Sequence, residues 1–191
     1  MPSPRYAFHG YAVVSDDDMI ADASGATPAA LRHEADWRYF QAELGRSALI
    51  VLGRLGHEGN PNPARRKRLV VSSSAQGVEQ RADALWWNPE AAPLAEALAA
   101  AVPEGGRVAV VGGQGVFDLF LRRGYDCFHL TRVPGVRVSG GRKLFAACEA
   151  PGVTAEAALA GIGGLVRAGT RPLDDAGRVI LTLWQRPAAS G

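Results

Sequence analysis

Apolar and polar residues follow two rhythms along this chain, and the alternation between them sets the expected fold. Six short apolar runs have the length and β-branched content of buried strands: "YAFHGYAVVS" (6–15), "SALIVLG" (47–53), "RLVVSS" (68–73), "DALWWN" (83–88), "RVAVVG" (107–112) and "CFHLTRVP" (127–134). Between about His33 and Gly45 the pattern changes, because Ala35, Trp37, Phe40 and Leu44 recur near helical spacing and Gly45 supplies a stop. "PEAAPLAEALAAAV" (89–102) reads as an Ala/Leu-rich helix, and a third helix runs from Gly113 to about Arg123. Residues 21–30, with Gly25, Thr27 and Pro28, read as a loop, and "GNPNP" as a turn. "GRVILTLWQR" (177–186) alternates and closes the pattern as a strand. Strands interleaved with helices predict an α/β fold with a mostly parallel central sheet, and the last strand is expected as a C-terminal antiparallel edge strand. Trp86 and Trp87 should point to opposite sides of their strand.

Composition narrows the class without naming a function. The 191 residues are 47% hydrophobic and 21% charged, the usage of one globular domain spanning 1–191. A net charge of +2 gives no argument for nucleic acid or for an anionic membrane. No apolar run nears the roughly 18–20 residues of a membrane span, and "MPSPRYAFHGYAVV" lacks the apolar stretch of a signal peptide. The expectation is a cytoplasmic protein whose two cysteines, Cys127 and Cys148, are reduced, mostly buried thiols. His9, His33, His57 and His129 show no metal-ligand spacing, so they read as structural and no metal is expected. The triplet Asp16-Asp17-Asp18 reads as a solvated turn, because three successive side chains diverge. Arg65-Arg66-Lys67-Arg68 has no interleaved aromatics, which leaves a solvated face or an anion site and not a nucleic-acid surface.

Candidate chemistry gathers where strands end. In parallel sheets ligands bind at the carboxyl ends of strands, and three segments share that position: Gly53-Arg54, Ser72-Ser73 and Gly112 to Phe117. "VAVVGGQGVFDLFL" (108–121) puts Gly112-Gly113 where a strand hands over to a helix. The unpaired N–H groups of such a helix start suit a phosphate, and glycines let it come close. The full G-x-G-x-x-G fingerprint is absent, since the third position is Asp118. The glycines alone therefore fit a tight turn equally well. Arg54 could grip a phosphate bidentately and Ser72 and Ser73 could donate hydroxyls. Three such tips together favour a phosphorylated ligand.

The succession of an acid-bearing helix, "LIVLGR", "RRKRLVVSSS", "VAVVGGQGVFDLFL" and "FHLTRV" resembles dihydrofolate reductase and the related reductase domain of riboflavin biosynthesis, over roughly residues 6 to 145. The resemblance implies a dihydrofolate reductase-like three-layer fold, NADPH as cofactor, and hydride delivery to a pterin or pyrimidine. It implies that Gly112 and Gly113 are joined by a cis peptide bond. It places Gly53, Arg54, Ser72 and Ser73 at the cofactor, with Arg54 and the serines on the adenosine 2′-phosphate. Gly112, Gly113, Gly115, Val116 and Phe117 would line the pyrophosphate and nicotinamide side. Asp36, in "EADWRYF", falls on the family's active-site carboxylate, supported by Thr131 through water; Phe40 would lie against the substrate ring, and Arg66 would grip a carboxylate tail.

Asp36 also has its own physics. A carboxylate on an apolar helix face is costly to bury unless paired, and the amidine-like edge of a pterin or pyrimidine offers two donors to two oxygens. Read without the resemblance, Asp36 equally fits a surface residue complementing the dipole of a first helical turn. Departures from the family pattern bear on the substrate: the loop 22–36 has no Trp, Leu55-Gly56 replaces a Thr after "GR", and Phe117 stands where the family has Tyr. "SGGRKLF" (139–145) lies closer to the riboflavin-pathway group, and residues 150–176 match neither. The expectation is an NADPH-dependent oxidoreductase acting on a pterin-like small molecule. The alternatives are a riboflavin-type pyrimidine reductase and a non-catalytic NADPH-binding protein. An exposed C-terminal edge strand permits a homodimer.

Overall fold

The computed structural model describes residues 4–188, and every apolar run singled out above lies in its sheet. The elements are β1 (Tyr6–Val14), β2 (Met19–Ala21), α1 (Glu34–Gly45), β3 (Leu49–Gly53), α2 (Arg54–Gly59), β4 (Arg68–Val71), β5 (Val78–Arg81), β6 (Ala84–Trp87), α3 (Leu94–Ala101), β7 (Gly106–Val110), α4 (Gln114–Arg123), β8 (Cys127–Arg132), β9 (Arg142–Lys143), α5 (Ala155–Gly161), β10 (Val166–Pro172) and β11 (Ile180–Gln185). Nine strands form one sheet in the order β10-β11-β8-β1-β7-β3-β4-β6-β5, and β2 pairs with β9 in a small second sheet. The six strands from β8 to β6 are parallel. Antiparallel pairs β11–β8 and β10–β11 extend one edge, and β5–β6 extends the other.

Burial alternates along each central strand and divides the core into two layers. Phe8, Leu49, Val51, Leu69, Val108, Val110, Phe128 and Leu130 pack against α3, α4 and α5 on one face. Tyr11, Ile50, Leu52, Val70, Trp86 and Ala109 face the other way, under Leu44 and Phe40 of α1. Trp87 and Trp86 divide between these layers: the Trp87 indole donates to the Ala92 carbonyl, while Trp86 meets the His57 ring of α2 edge-on. No helix among the described residues is long and apolar enough to cross a membrane.

Three local differences from the sequence expectation have physical causes. Helix α3 begins at Leu94 and not at residue 89, because Pro93 immediately precedes it and disfavours helical geometry upstream. The antiparallel C-terminal edge is a hairpin, with β10 outside β11; every residue of β10 is exposed, so no apolar pattern announced it. The Asp16-Asp17-Asp18 turn is solvated at Asp16 and partly at Asp17, but not at Asp18. Its diverging carboxylates each find a different donor: Asp16 accepts from the Gly135 N–H, Asp17 from the Ser15 hydroxyl and the Val138 N–H, and Asp18 from Arg132 at 2.7 Å and the Ala155 N–H at 3.0 Å. Asp18 is buried with a left-handed φ of 61°. The triplet therefore clasps the end of β1 to the segment after β8 and to the start of α5.

Removing one partner of a buried ion pair costs about 3 kcal/mol or more. Asp18→Ala should therefore lower the melting temperature by roughly 6–12 °C for a domain of this size, read by circular dichroism. A loss under about 2 °C would show that the clasp is not structural.

Candidate functional site

The carboxyl ends of β7, β3 and β4 lie side by side, and the first two are laced together. The Gly53 N–H donates to the Gly112 carbonyl at 3.0 Å, and the Val111 N–H to the Val51 carbonyl at 2.9 Å. Gly112 has a φ of 135°, a conformation that side-chain-bearing residues rarely adopt. That angle, and not a cis bond, bends the chain into α4: there is no cis peptide among the described residues, which corrects the expectation for Gly112-Gly113. A Cβ added at Gly113 or Gly115 would meet nothing within 4 Å. The start of α4 thus opens onto free space, and no side chain caps it. Val116 is buried, and a Cβ on Gly53 would lie 3.6 Å from it. The Phe117 ring packs in the core near Phe128 and Phe145, its N–H donates to the Gly113 carbonyl at 3.0 Å and its carbonyl accepts from Tyr125, so Phe117 shapes the helix start from within and does not line the cofactor side as expected.

The polar groups around this floor are exposed or half-buried. Arg54 opens α2 and donates to Glu58 at 3.1 Å, with half of each side chain in solvent. The Ser72 and Ser74 hydroxyls are 2.9 Å apart at the end of β4, and Ser73 is exposed. Arg81, which sequence reasoning passed over, donates to the Ser74 carbonyl at 3.0 Å and lies 4.0 Å over the Trp86 ring, while Glu79 pairs with it. It sits on β5, a polar edge strand, and only the β5–β6 pairing brings it to the tip of β4. Two arginines and three hydroxyls therefore border the glycine floor.

The acid lies on the other helix-covered part of the sheet. His33 caps α1, its Nδ1 accepting from the Ala35 N–H at 3.2 Å, and this sets Asp36 in the first turn. Burial pushes the Asp36 carboxyl above its ordinary pKa; the Thr131 hydroxyl and the neighbouring His33 offset part of that rise. Thr131 is buried in β8, in register with Val13 and Leu181. Phe40, one turn beyond Asp36, is tilted against Tyr11 and Trp37 with centroids about 6 Å apart, and Trp37 is 57% exposed. Arg66 donates to the Gln41 side chain at 2.7 Å, and Asn62 brackets its backbone, so its head is tethered beside α1. The β10–β11 hairpin reaches the same helix: Asp174 lies 3.6 Å from His33, and the Arg171 guanidinium 5.4 Å from the Tyr39 ring. That wall comes from residues that match no family pattern, so nothing local along the chain announces it.

Beneath α1 the sheet presents an unexpected polar strip. Glu43 is buried and accepts from Tyr11 at 3.1 Å and Arg107 at 2.9 Å, with Arg46 on its other oxygen. Burial raises the Glu43 pKa, but His129, Tyr11, Arg46 and Arg107 together hold it below its ordinary value. Alongside, the donor atoms of His9, Cys127 and His129 converge within 4.8 Å of one another, a grouping that the spacing of these residues along the chain does not announce. The pairing of β1 with β8 joins residues 118 positions apart, and no local spacing encodes that.

A group buried and kept from ionising penalises folding wherever its unfolded form would ionise. Because the folded Asp36 pKa is raised, that penalty is absent below the ordinary carboxylate pKa of about 3.9 and is complete once pH exceeds the folded value. Asp36→Asn should therefore melt higher than the parent at pH 7, and the gain should shrink as pH falls toward 4. Thermal denaturation across this range checks it; a pH-independent difference, or a loss at pH 7, would contradict it.

No protein-family model matches the chain, and neither does the sequence of any curated protein. Solved structures do match. A dihydrofolate reductase from Enterococcus faecalis, complexed with NADP(H) and RAB-propyl, superposes with a TM-score of 0.66 at 18% identity, over 95% of this chain and 97% of its own. A Shewanella sp. PV-4 protein provisionally assigned to riboflavin biosynthesis superposes with a TM-score of 0.65 at 18% identity, over 95% of this chain and 99% of its own. A likeness of that extent, with a parallel sheet continued by antiparallel strands at its C-terminal edge, establishes that this chain has the dihydrofolate reductase-like fold.

Proposed function

We propose that this chain is an NADPH-dependent reductase that delivers hydride to a C=N bond of a pterin-like ring held by Asp36. The observation that carries the reading is the carboxyl of Asp36, half-buried against Thr131 on a sheet whose neighbouring strand tips are floored with glycine. Without a partner, such a carboxyl only costs stability. Paired with two N–H donors on a heterocycle edge, it gains two charge-assisted hydrogen bonds and polarises the ring. Phe40 would lie against that ring, and Arg66 would exchange its Gln41 partner for an anionic tail.

The cofactor supported by the fold is NADPH, which would supply the hydride. Its pyrophosphate suits the open start of α4, where Gly113 and Gly115 leave room and the first-turn N–H groups of Gln114 and Gly115 precede the ones that bond to the Gly113 carbonyl. Arg54 and Arg81 suit the 2′-phosphate with Ser72, Ser73 and Ser74. Both arginines are engaged by surface carboxylates, Glu58 and Glu79, and such exposed pairs are worth about 1 kcal/mol or less. A dianionic phosphate would displace them. A second reading, a pyrimidine reductase of the riboflavin-pathway type, is favoured by the near-equal likeness to the Shewanella protein.

NADPH oxidation, followed by nicotinamide absorbance with dihydrofolate, other pterins and the phosphoribosylamino-pyrimidine, tests both. Turnover with a pterin is expected, and Asp36→Asn should lower kcat/KM about 100-fold or more with NADPH affinity unchanged. Turnover with the pyrimidine alone would select the second reading. NADPH binding without oxidation of any of them would mark a non-catalytic binding protein and overturn both.

Arg54→Gln should weaken NADPH about tenfold and leave NADH unaffected, as measured by tryptophan fluorescence quenching. Equal losses for the two cofactors would remove Arg54 from the 2′-phosphate.

A further inference from the structure

The register of β1 against β8 sets His9 opposite Cys127 and Tyr11 opposite His129, with these side chains on the α1 face of the sheet. Their donor atoms meet at one place. His129 Nε2 lies 3.3 Å from His9 Nδ1 and 3.4 Å from Cys127 Sγ, and the three atoms fall within 4.8 Å of one another. A tetrahedral zinc ion with metal–nitrogen and metal–sulfur bonds of about 2.05 and 2.3 Å holds its nitrogens about 3.3 Å apart and nitrogen from sulfur about 3.5 Å apart. The two separations from His129 match these values, and the third, between His9 and Cys127, lies within 4.8 Å, so a small side-chain adjustment closes the site.

The surroundings orient these groups as ligands. His129 Nδ1 is hydrogen-bonded to the Tyr39 hydroxyl at 2.5 Å, and the Tyr11 ring stacks on the imidazole with a centroid separation of 4.3 Å. With Nδ1 donating to Tyr39, Nε2 carries a lone pair aimed at His9 and Cys127. Metal-binding histidines are typically held through the other ring nitrogen in this way. One lone pair cannot serve two neighbours equally, whereas a cation satisfies all three donors at once. Cys127 and His129 are buried and His9 is half-buried, so the group meets solvent on the His9 side. Glu43, bonded to Tyr11, adds negative charge nearby, partly balanced by Arg107.

We propose that His9, Cys127 and His129 form a binding site for one zinc-class divalent ion. Thiolate and imidazole favour such an ion over magnesium or calcium, which take oxygen ligands. On binding, the Cys127 thiol gives its proton to solvent and sulfur donates to the metal. The site is distinct from Asp36: Thr131 is two residues along β8 from His129 and four from Cys127, about 7 and 13 Å of strand. Its effect is to tie β1, β8 and, through Tyr39, α1 into one unit.

The test uses Co(II), whose thiolate bond gives a near-ultraviolet charge-transfer band, added to the reduced chain without a polyhistidine tag. One equivalent should produce the band, and Zn(II) should abolish it by displacement. Cys148→Ser should keep the band and Cys127→Ser should lose it. His9→Gln, a half-buried position that the fold tolerates best, should weaken Co(II) at least tenfold, and Tyr39→Phe by about 10–100-fold, each with an unchanged circular dichroism spectrum. Absence of the band in the parent, its persistence in Cys127→Ser, or equal Co(II) affinity in His9→Gln would overturn the proposal.

Discussion

Helix α1 must bury charge, and the rest of the candidate site depends on how it does so. Asp36 and Glu43, seven residues and about two turns apart, both turn toward the sheet. A carboxylate removed from water without donors costs several kcal/mol, so β1, β7 and β8 have to supply them. Glu43 receives a complete set from Tyr11, Arg46 and Arg107. Asp36 receives only Thr131 and a nearby histidine, which leaves its pKa raised. The first pairing anchors the helix, and the second leaves a carboxyl with capacity for a ligand. Perturbed groups of this kind concentrate at functional sites.

The glycine floor answers the same constraint from the opposite direction. At the tips of β3 and β7 the backbone bonds to itself through Gly53 and Gly112, and the positive φ of Gly112 turns the chain into α4 with no side chain over the helix start. One region therefore offers an under-paired acid and the other offers backbone donors that no side chain caps. A ligand with an amidine-like edge and a cofactor with phosphates satisfy both, which is why the reductase reading explains more of the molecule than either feature alone.

Much of the frame was legible because its signals are local. Val51, Val70, Val108 and Val110 lie in β-branched runs of strand length, and Gly45 ends α1 as a helix stop should. The roles expected of Asp36 and Phe40 came from the family resemblance, and their separation by four residues agrees with one helical face. What stayed hidden is non-local. His9 and Cys127 meet only because β1 and β8 are parallel neighbours in a particular register. Arg81 and the whole of β10 are polar edge segments, whose strand character comes from pairing and not from burial. Asp18 looked solvated because its partners Arg132 and Ala155 lie more than a hundred residues away.

The central claim is that glycine-lined strand tips hold the phosphates of a dinucleotide. The most direct measurement is an NMR titration of the ¹⁵N-labelled chain with NADPH, following backbone amides. The account predicts saturable shifts concentrated at Gly53, Gly112, Gly113 and Gly115, with Gly10 and Gly161 unmoved. Shifts that spare those four amides at saturating NADPH would contradict it.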